Sequence, residues 1–130
     1  MSSPAPLLDV RDLRVGFGSP AHPARAVDGV SFRIGEGETV ALVGESGSGK
    51  SVTALALTCL VPSPPGVYSG GQILFRGTSV LDLKGSGLQA LRGREIAYVF
   101  QEPAAALNPV FRIGFQIGEA NTFFVQVDAL

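Results

Sequence analysis

Tryptophan is absent from this 130-residue sequence, and cysteine, histidine and methionine each occur once. A single cysteine, Cys59, excludes an intrachain disulfide. It sits in an Ala- and Leu-rich stretch, where it reads as a small buried hydrophobe in preference to a redox or metal-binding group. The one histidine, His22, lies in the loop-like run Ser19-Pro20-Ala21-His22-Pro23 with no acidic or cysteine cluster beside it, and reads as a solvated residue. Charge of one sign is also missing. Ten Lys and Arg stand against eleven Asp and Glu, for a net charge of −1, and the densest basic group is only Arg92 with Arg94. Without a cationic stripe, no nucleic acid or anionic lipid partner is expected. Nor is there a long hydrophobic run. The longest, near 54–61, is broken by Thr58 and is far too short to span a bilayer, so no direct membrane insertion is expected. Met1-Ser2-Ser3-Pro4 has neither a basic start nor an apolar signal core, so the expectation is a cytoplasmic chain that meets a membrane only through a partner.

What is present is a globular composition, 45% apolar and 16% charged, at a length that suits one domain or part of a larger one. Its most specific stretch is Gly44-Glu45-Ser46-Gly47-Ser48-Gly49-Lys50-Ser51, which fits G-x-x-x-x-G-K-[ST]. Glycines at 44, 47 and 49 let the backbone take positive φ and wrap closely around phosphate oxygens, with the loop N–H groups turned inward as an anion nest. Thr39 to Val43, short and rich in β-branched residues, reads as a buried strand before the loop. Ser51 to Leu60 reads as a helix after it, whose N-terminal dipole favours an anion on the same side. In that setting Lys50 reaches the β- and γ-phosphates, and the Ser51 hydroxyl is a ligand for Mg²⁺. The pattern names a nucleoside triphosphate with Mg²⁺ as the ligand class.

Several other segments carry a strand pattern. Leu8, Val10, Leu13, Val15 and Phe17 are interleaved with Asp and Arg, and the alternation shifts near Asp12. Val27, Val30, Phe32 and Ile34 suggest a second strand after a loop at 20–26, and 35–38 (Gly-Glu-Gly-Glu) reads as a tight turn. Pro62 to Gly71 is a Pro/Gly/Ser-rich loop, followed by a short strand at Gln72 to Phe75. Leu81 to Leu91 reads as a loop leading into a short helix, and Ile96 to Phe100 as a further buried strand. Strands that precede the first helix imply an α/β fold in which an antiparallel sheet is joined to a P-loop core.

Taken together, the segments resemble the ATP-binding subunit of ABC transporters, and within it the oligopeptide/dipeptide/nickel importer group. The resemblance rests on Val43 to Ser51, on the lead-in Ala26-Val27-Asp28-Gly29-Val30-Ser31-Phe32 and on Gly71-Gln72-Ile73-Leu74-Phe75-Arg76-Gly77. Most specific is Ile96-Ala97-Tyr98-Val99-Phe100-Gln101-Glu102-Pro103, followed by Leu107-Asn108-Pro109, which resembles the Q-loop and its flank. The resemblance implies a P-loop NTPase with an N-terminal antiparallel β-subdomain and, as cofactors, ATP and Mg²⁺. It implies nucleotide contacts at Phe17, Gly44, Glu45, Ser46, Gly47, Ser48, Gly49, Lys50, Ser51, Val52 and Gln101, with Ser51 and Gln101 serving the metal. Gln101, by itself an ordinary loop glutamine, gains from its flank the role of sensing the γ-phosphate through a metal-bound water. Phe17 stands where the family stacks an aromatic on adenine, although a core Phe on an alternating strand is an equal reading. The implied partners are membrane permease subunits and a second ATP-binding subunit, which place the chain at the cytoplasmic face of the membrane.

The family's helical subdomain, its Leu-Ser-Gly-Gly-Gln signature, its Walker B Asp-Glu and its switch histidine have no counterpart in the sequence, so no general base for hydrolysis is assigned. Phe123 to Asp128 superficially resembles a Walker B strand, but Ala129 stands where the Glu belongs. Residues 1–120 are therefore read as the N-terminal part of an ATP-binding domain and 121–130 as a divergent tail, in which Ala120-Asn121-Thr122-Phe123 interrupts an amphipathic helix. A truncated or frame-shifted reading frame would account for this. The expected behaviour is weak Mg²⁺-nucleotide binding, no turnover by the chain alone, and marginal stability from an uncovered sheet edge. A non-catalytic nucleotide-binding module is the alternative reading. A kinase or GTPase is disfavoured by the early β-rich region and by the lack of an Asn-Lys-x-Asp.

Overall fold

The chain starts its sheet in the middle. Strand β1 (Leu8–Phe17) pairs antiparallel with β2 (Ala24–Ile34) on one side and with β3 (Gly66–Phe75) on the other. The two-residue β4 (Thr78–Ser79) closes on β3, which gives the order β2-β1-β3-β4. These come from a computed structural model that describes residues 5–124, without the side chains of 93, 103 and 120–124. The readings of Met1 to Pro4 and of Val125 to Leu130, including Asp128 and Ala129, lie outside the described residues. Contacts divide the chain into two units, Met1–Lys84 and Gly85–Leu130.

The shift in alternation near Asp12 is a bulge. Val10 pairs with Phe32 and Leu13 with Val30, so β1 spends one residue more than β2 between these pairs. Asp12 takes φ +46°, and its N–H donates to the Ser31 hydroxyl at 2.8 Å. The extra residue returns Leu13 and Val15 to the face that Val10 occupies, and all three are buried. On the other side, Gly71 (φ +91°) lies against the same bulge, where a Cβ would collide with the carbonyls of Arg11 and Asp12. This accounts for a strand that is longer than its pattern suggests. Residues 66–71 of the Gly-rich segment expected as loop form the first half of β3, and at Gly71 the strand passes a bulge that leaves no room for a Cβ.

The core of this unit gathers Leu8, Val10, Leu13, Val15, Val27, Ile73 and Val80, with Ala56 and Val61 beneath them. Helix α1 (Lys50–Ala56) packs against β1 and β2. It is shorter than the expected 51–60. Cys59 N–H donates to the Ala56 carbonyl at 3.0 Å and Leu60 N–H to the Leu55 carbonyl at 2.9 Å, with Cys59 in the left-handed region (φ +55°). That is a Schellman ending, in which a cysteine takes the usual place of glycine. Asp9 is buried beside this core on the central strand. It accepts from Arg11 Nε and Nη2 at 2.9 and 2.6 Å, and from Arg33 Nε, on its cross-strand partner, at 3.2 Å.

In the second unit, α2 (Ser86–Ala90) runs into one wider turn of π-type helix, Leu91–Glu95, closed by Ile96 N–H to the Leu91 carbonyl at 2.9 Å. A 3₁₀ turn, Pro103–Ala106, follows, and then α3 (Ile113–Phe124). The Gln116 side chain staples the approach to α3. Its Oε1 accepts from Asn108 N–H at 2.8 Å, and its Nε2 donates to the carbonyls of Asn108 and Phe111 at 3.0 Å.

Three expectations are corrected. Thr39 to Val43 and Ile96 to Phe100 are in no sheet among the described residues, and they are not buried: Val43 is 85% and Val99 98% exposed. A β-branched apolar run fits a pleated surface but does not supply the neighbour whose N–H and C=O groups make it a strand. Third, α3 continues through 120–124 without interruption. Asn and Thr lower helix propensity by only tenths of a kcal/mol each, which does not stop a helix that contains no proline.

Truncating the central side chain with Ile73→Ala should destabilise the sheet unit by about 2–5 kcal/mol. Gly71→Ala should cost more than about 1 kcal/mol through its forbidden Cβ, and urea denaturation of both variants measures the losses. The guanidinium of Arg11, then that of Arg33, holds the Asp9 carboxyl below its usual range, against the opposing effect of burial. A depressed folded-state value means that the ion pairs stabilise fully above the unfolded Asp pKa of about 3.9 and are lost as pH falls through the lower folded value. Asp9→Asn should flatten that acid limb in melts recorded from pH 6 downward; an unchanged limb would place the effect elsewhere.

Candidate phosphate-binding site

The loop at 44–51 hangs between the end of the β2 segment and α1, and one missing side chain fixes it there. Gly49 takes φ +89°, and a Cβ on it would strike the Ala26 carbonyl of β2. Only glycine allows the loop to lie this close to the sheet. Gly44 is constrained from within, since a Cβ there would stand 2.6 Å from the Ser48 Oγ. Gly47 takes φ +79° and has open space where its side chain would be.

Lys50 ties the loop together. Its Nζ donates to the Gly44 carbonyl at 2.7 Å, the Glu45 carbonyl at 2.5 Å and the Ser48 hydroxyl at 3.1 Å. An ammonium group has three protons, and here all three go to loop oxygens, so a phosphate would have to replace one or more of these acceptors. Ser48 N–H returns to the Glu45 carbonyl at 3.2 Å, which closes a turn inside the ring. With these loop carbonyls gathered on the lysine, the first-turn N–H groups of α1 at Lys50, Ser51 and Val52 have no acceptor within the helix. The next N–H, of Thr53, reaches the Gly49 carbonyl at 2.8 Å, and the buried Thr53 hydroxyl donates to that same oxygen at 2.8 Å.

A cleft of about 390 Å³ opens beside this ring, lined by Ala26, Ser46, Gly47, Gly49, Lys50, Ser51 and Val52. Its polar lining is donor-rich: an ammonium group, two hydroxyls and main-chain N–H groups. Its apolar wall is Ala26 and Val52. A cradle that side chains would fill, with donors on one side, fits a polyphosphate. Among the described residues, no group of three or more His, Cys, Asp or Glu side chains could hold a metal by itself. A divalent ion here would therefore share the Ser51 hydroxyl with the oxygens of its ligand.

Six of the expected contacts, at residues 46, 47, 49, 50, 51 and 52, line one cleft. Gly44, Glu45 and Ser48 stand behind them as the acceptors that hold Lys50. Phe17 is half-buried at the end of β1, paired with Ala24 and Gly66, and is not part of the cleft wall. Gln101 belongs to the second unit and lies exposed in a bend after the stacked rings of Tyr98 and Phe100, whose centroids are 6.0 Å apart. Ala26 is the wall residue that the sequence did not single out. Its only signal was a small residue in a strand that a glycine must approach.

The family model of the ABC transporter matches residues 27–120. The sequence is 46% identical over 113 residues to the oligopeptide transport ATP-binding protein OppD of Bacillus subtilis, across 87% of this chain and 32% of that protein. It is 44% identical over 114 residues to the dipeptide transport ATP-binding protein DppD of Haemophilus influenzae, across 88% and 34%. It is also 44% identical over 141 residues to the glutathione import ATP-binding protein GsiA of Pectobacterium atrosepticum, across 98% and 23%. The chain thus spans about a quarter to a third of the length of these relatives. The matched region takes in the glycine loop, the cleft beyond Ala26 and the segment around Gln101, and the chain belongs to the ABC transporter family.

Proposed function

We propose that this chain binds ATP with Mg²⁺ at the 44–52 cleft, as the phosphate-holding part of an ATP-binding subunit that energises import of peptides or a related solute. The observation that carries this reading is the ring around Lys50, three hydrogen bonds that hold a lysine at the mouth of a glycine cradle. In this reading the loop N–H groups and Lys50 bind the phosphates and orient them, and Ser51 faces the metal. A bound Mg²⁺ would neutralise charge on the phosphate oxygens. Gln101 serves as the γ-phosphate sensor and Phe17 as a face for the base. The partners are permease subunits and a second ATP-binding subunit, which hold the chain at the cytoplasmic side of the membrane. The names of the peptide and glutathione transport relatives support this choice of solute class.

One observation favours a second reading, a nucleotide-binding module without turnover. Among the described residues no carboxylate lines the cleft, so no described side chain there is suited to activate an attacking water. Both readings require binding and differ in hydrolysis.

Lys50→Ala removes a charge-assisted contact worth about 1.5–3 kcal/mol, so it should weaken Mg·ATP binding by roughly 10- to 100-fold in calorimetric titrations. The 130-residue chain should show phosphate release no faster than its Lys50→Ala variant. Steady turnover that this substitution abolishes would eliminate the non-hydrolysing reading.

A further inference from the structure

Helix α3 carries a short stripe in the order cation, aromatic, anion. Arg112, Phe115 and Glu119 stand three and four residues apart, so their side chains share one face of the helix. All three are exposed, Phe115 at 59%. Arg112 and Glu119 are two turns apart, about 10 Å along the axis, which is too far for them to bond each other within one helix. Neither takes part in an ion pair among the described residues.

The helix itself gives no reason for this placement. The Arg112 carbonyl accepts from Phe115 N–H at 3.1 Å and from Gln116 N–H at 3.3 Å, so Arg112 opens the helix. A cation there meets the positive end of the macrodipole, where an anion is the stabilising choice. The Phe115 ring lies 5.7 Å from that of Phe111, and both rings remain more than half exposed. Gln116, bonded to Asn108 and to the Phe111 carbonyl, fixes the approach to the helix, so the two rings stand as a preformed apolar knob. An exposed aromatic pair rimmed by charge marks a contact surface.

The stripe is complementary to itself. With a second α3 laid antiparallel across it and the two-fold axis beside Phe115, Phe115 meets Phe115, and Arg112 of each copy meets Glu119 of the other. A two-fold contact repeats every pair, so both charges of both copies are matched at once. Parallel packing sets arginine on arginine and glutamate on glutamate, which the same charges oppose.

We propose that α3 is a self-association face, on which two copies of this chain pair antiparallel through Phe115 with Arg112 of each opposite Glu119 of the other. The contact lies in the second unit and uses no residue of the phosphate cleft, so it stands independently of the ATP-binding reading.

Sedimentation velocity of the full chain, over a concentration series at low and high salt, tests it. The wild-type chain should sediment as a monomer–dimer equilibrium that weakens as salt screens the charge pairs. Arg112→Glu and Glu119→Arg, each alone, should raise the dissociation constant at least about tenfold, since each turns two attractive pairs of the dimer into repulsive ones. Mixing these two variants should restore a dimer. The double variant Arg112→Glu/Glu119→Arg should dimerise by itself, because exchanging the two charges preserves the antiparallel match, and this rescue separates loss of the contact from loss of the fold. A wild-type chain that stays monomeric throughout the series would overturn the proposal. So would association that the single charge reversals leave unchanged, open-ended aggregation included, and so would a double variant that pairs only when mixed with wild type, the outcome of parallel packing.

Discussion

Gly49 lies against the carbonyl of Ala26, and the rest of the site depends on that contact. It joins the first turn of α1 to β2, and it does so through the absence of a side chain. Once the loop is pinned there, Lys50 is in reach of the carbonyls of Gly44 and Glu45, which draw the loop into a ring. The Thr53 hydroxyl and N–H both engage the Gly49 carbonyl, so the same residue is held from the helix side as well. The cleft is the space that remains when a strand, a helix start and a glycine loop converge on one residue.

The sheet that presents Ala26 has its own constraint. β1 is central, and its bulge at Asp12 is needed to keep Val10, Leu13 and Val15 on one buried face. The bulge is matched on one side by the Ser31 hydroxyl and on the other by Gly71, whose missing Cβ lets β3 pass. Asp9, on the face opposite Val10, is tolerable in the middle of a sheet because two guanidinium groups reach it from β1 and β2. A buried carboxylate without such partners would be costly, so Arg11 and Arg33 maintain the strand as well as solubilise it.

Much of this was legible in the sequence because it is local. The loop pattern, the tight turn at 35–38, the broken alternation near Asp12 and the helix after Lys50 are all set within a few residues, and each appears in the structure. The strands at 39–43 and 96–100 were not legible in the same way. Their residue types favour an extended pleated chain, but a strand exists only where another backbone lies alongside, and none of the described strands does. The opposite error occurred at 66–71. Glycine and tyrosine in a turn-like composition became strand because a bulged neighbour required a residue without a side chain at Gly71. At the site, the polar residues were legible and the apolar wall was not, since nothing in the composition of β2 marks Ala26 as a surface for a ligand.

By itself the sequence determined the chemistry of the loop, because spacing along one short segment places three glycines, a lysine and a serine where phosphate chemistry needs them. It determined the helix and the bulge for the same reason of proximity along the chain. Only the tertiary structure decided which wall faces that loop, which of the apolar runs find a partner, and that the lysine is held by the loop's own oxygens. The first two outcomes depend on residues far apart in the sequence, such as Gly49 with Ala26, 23 positions away, and Asp12 with Gly71, 59 positions away, and on whether a side chain fits between two backbones. Residue type limits such a fit, while the packed arrangement of the strands decides it.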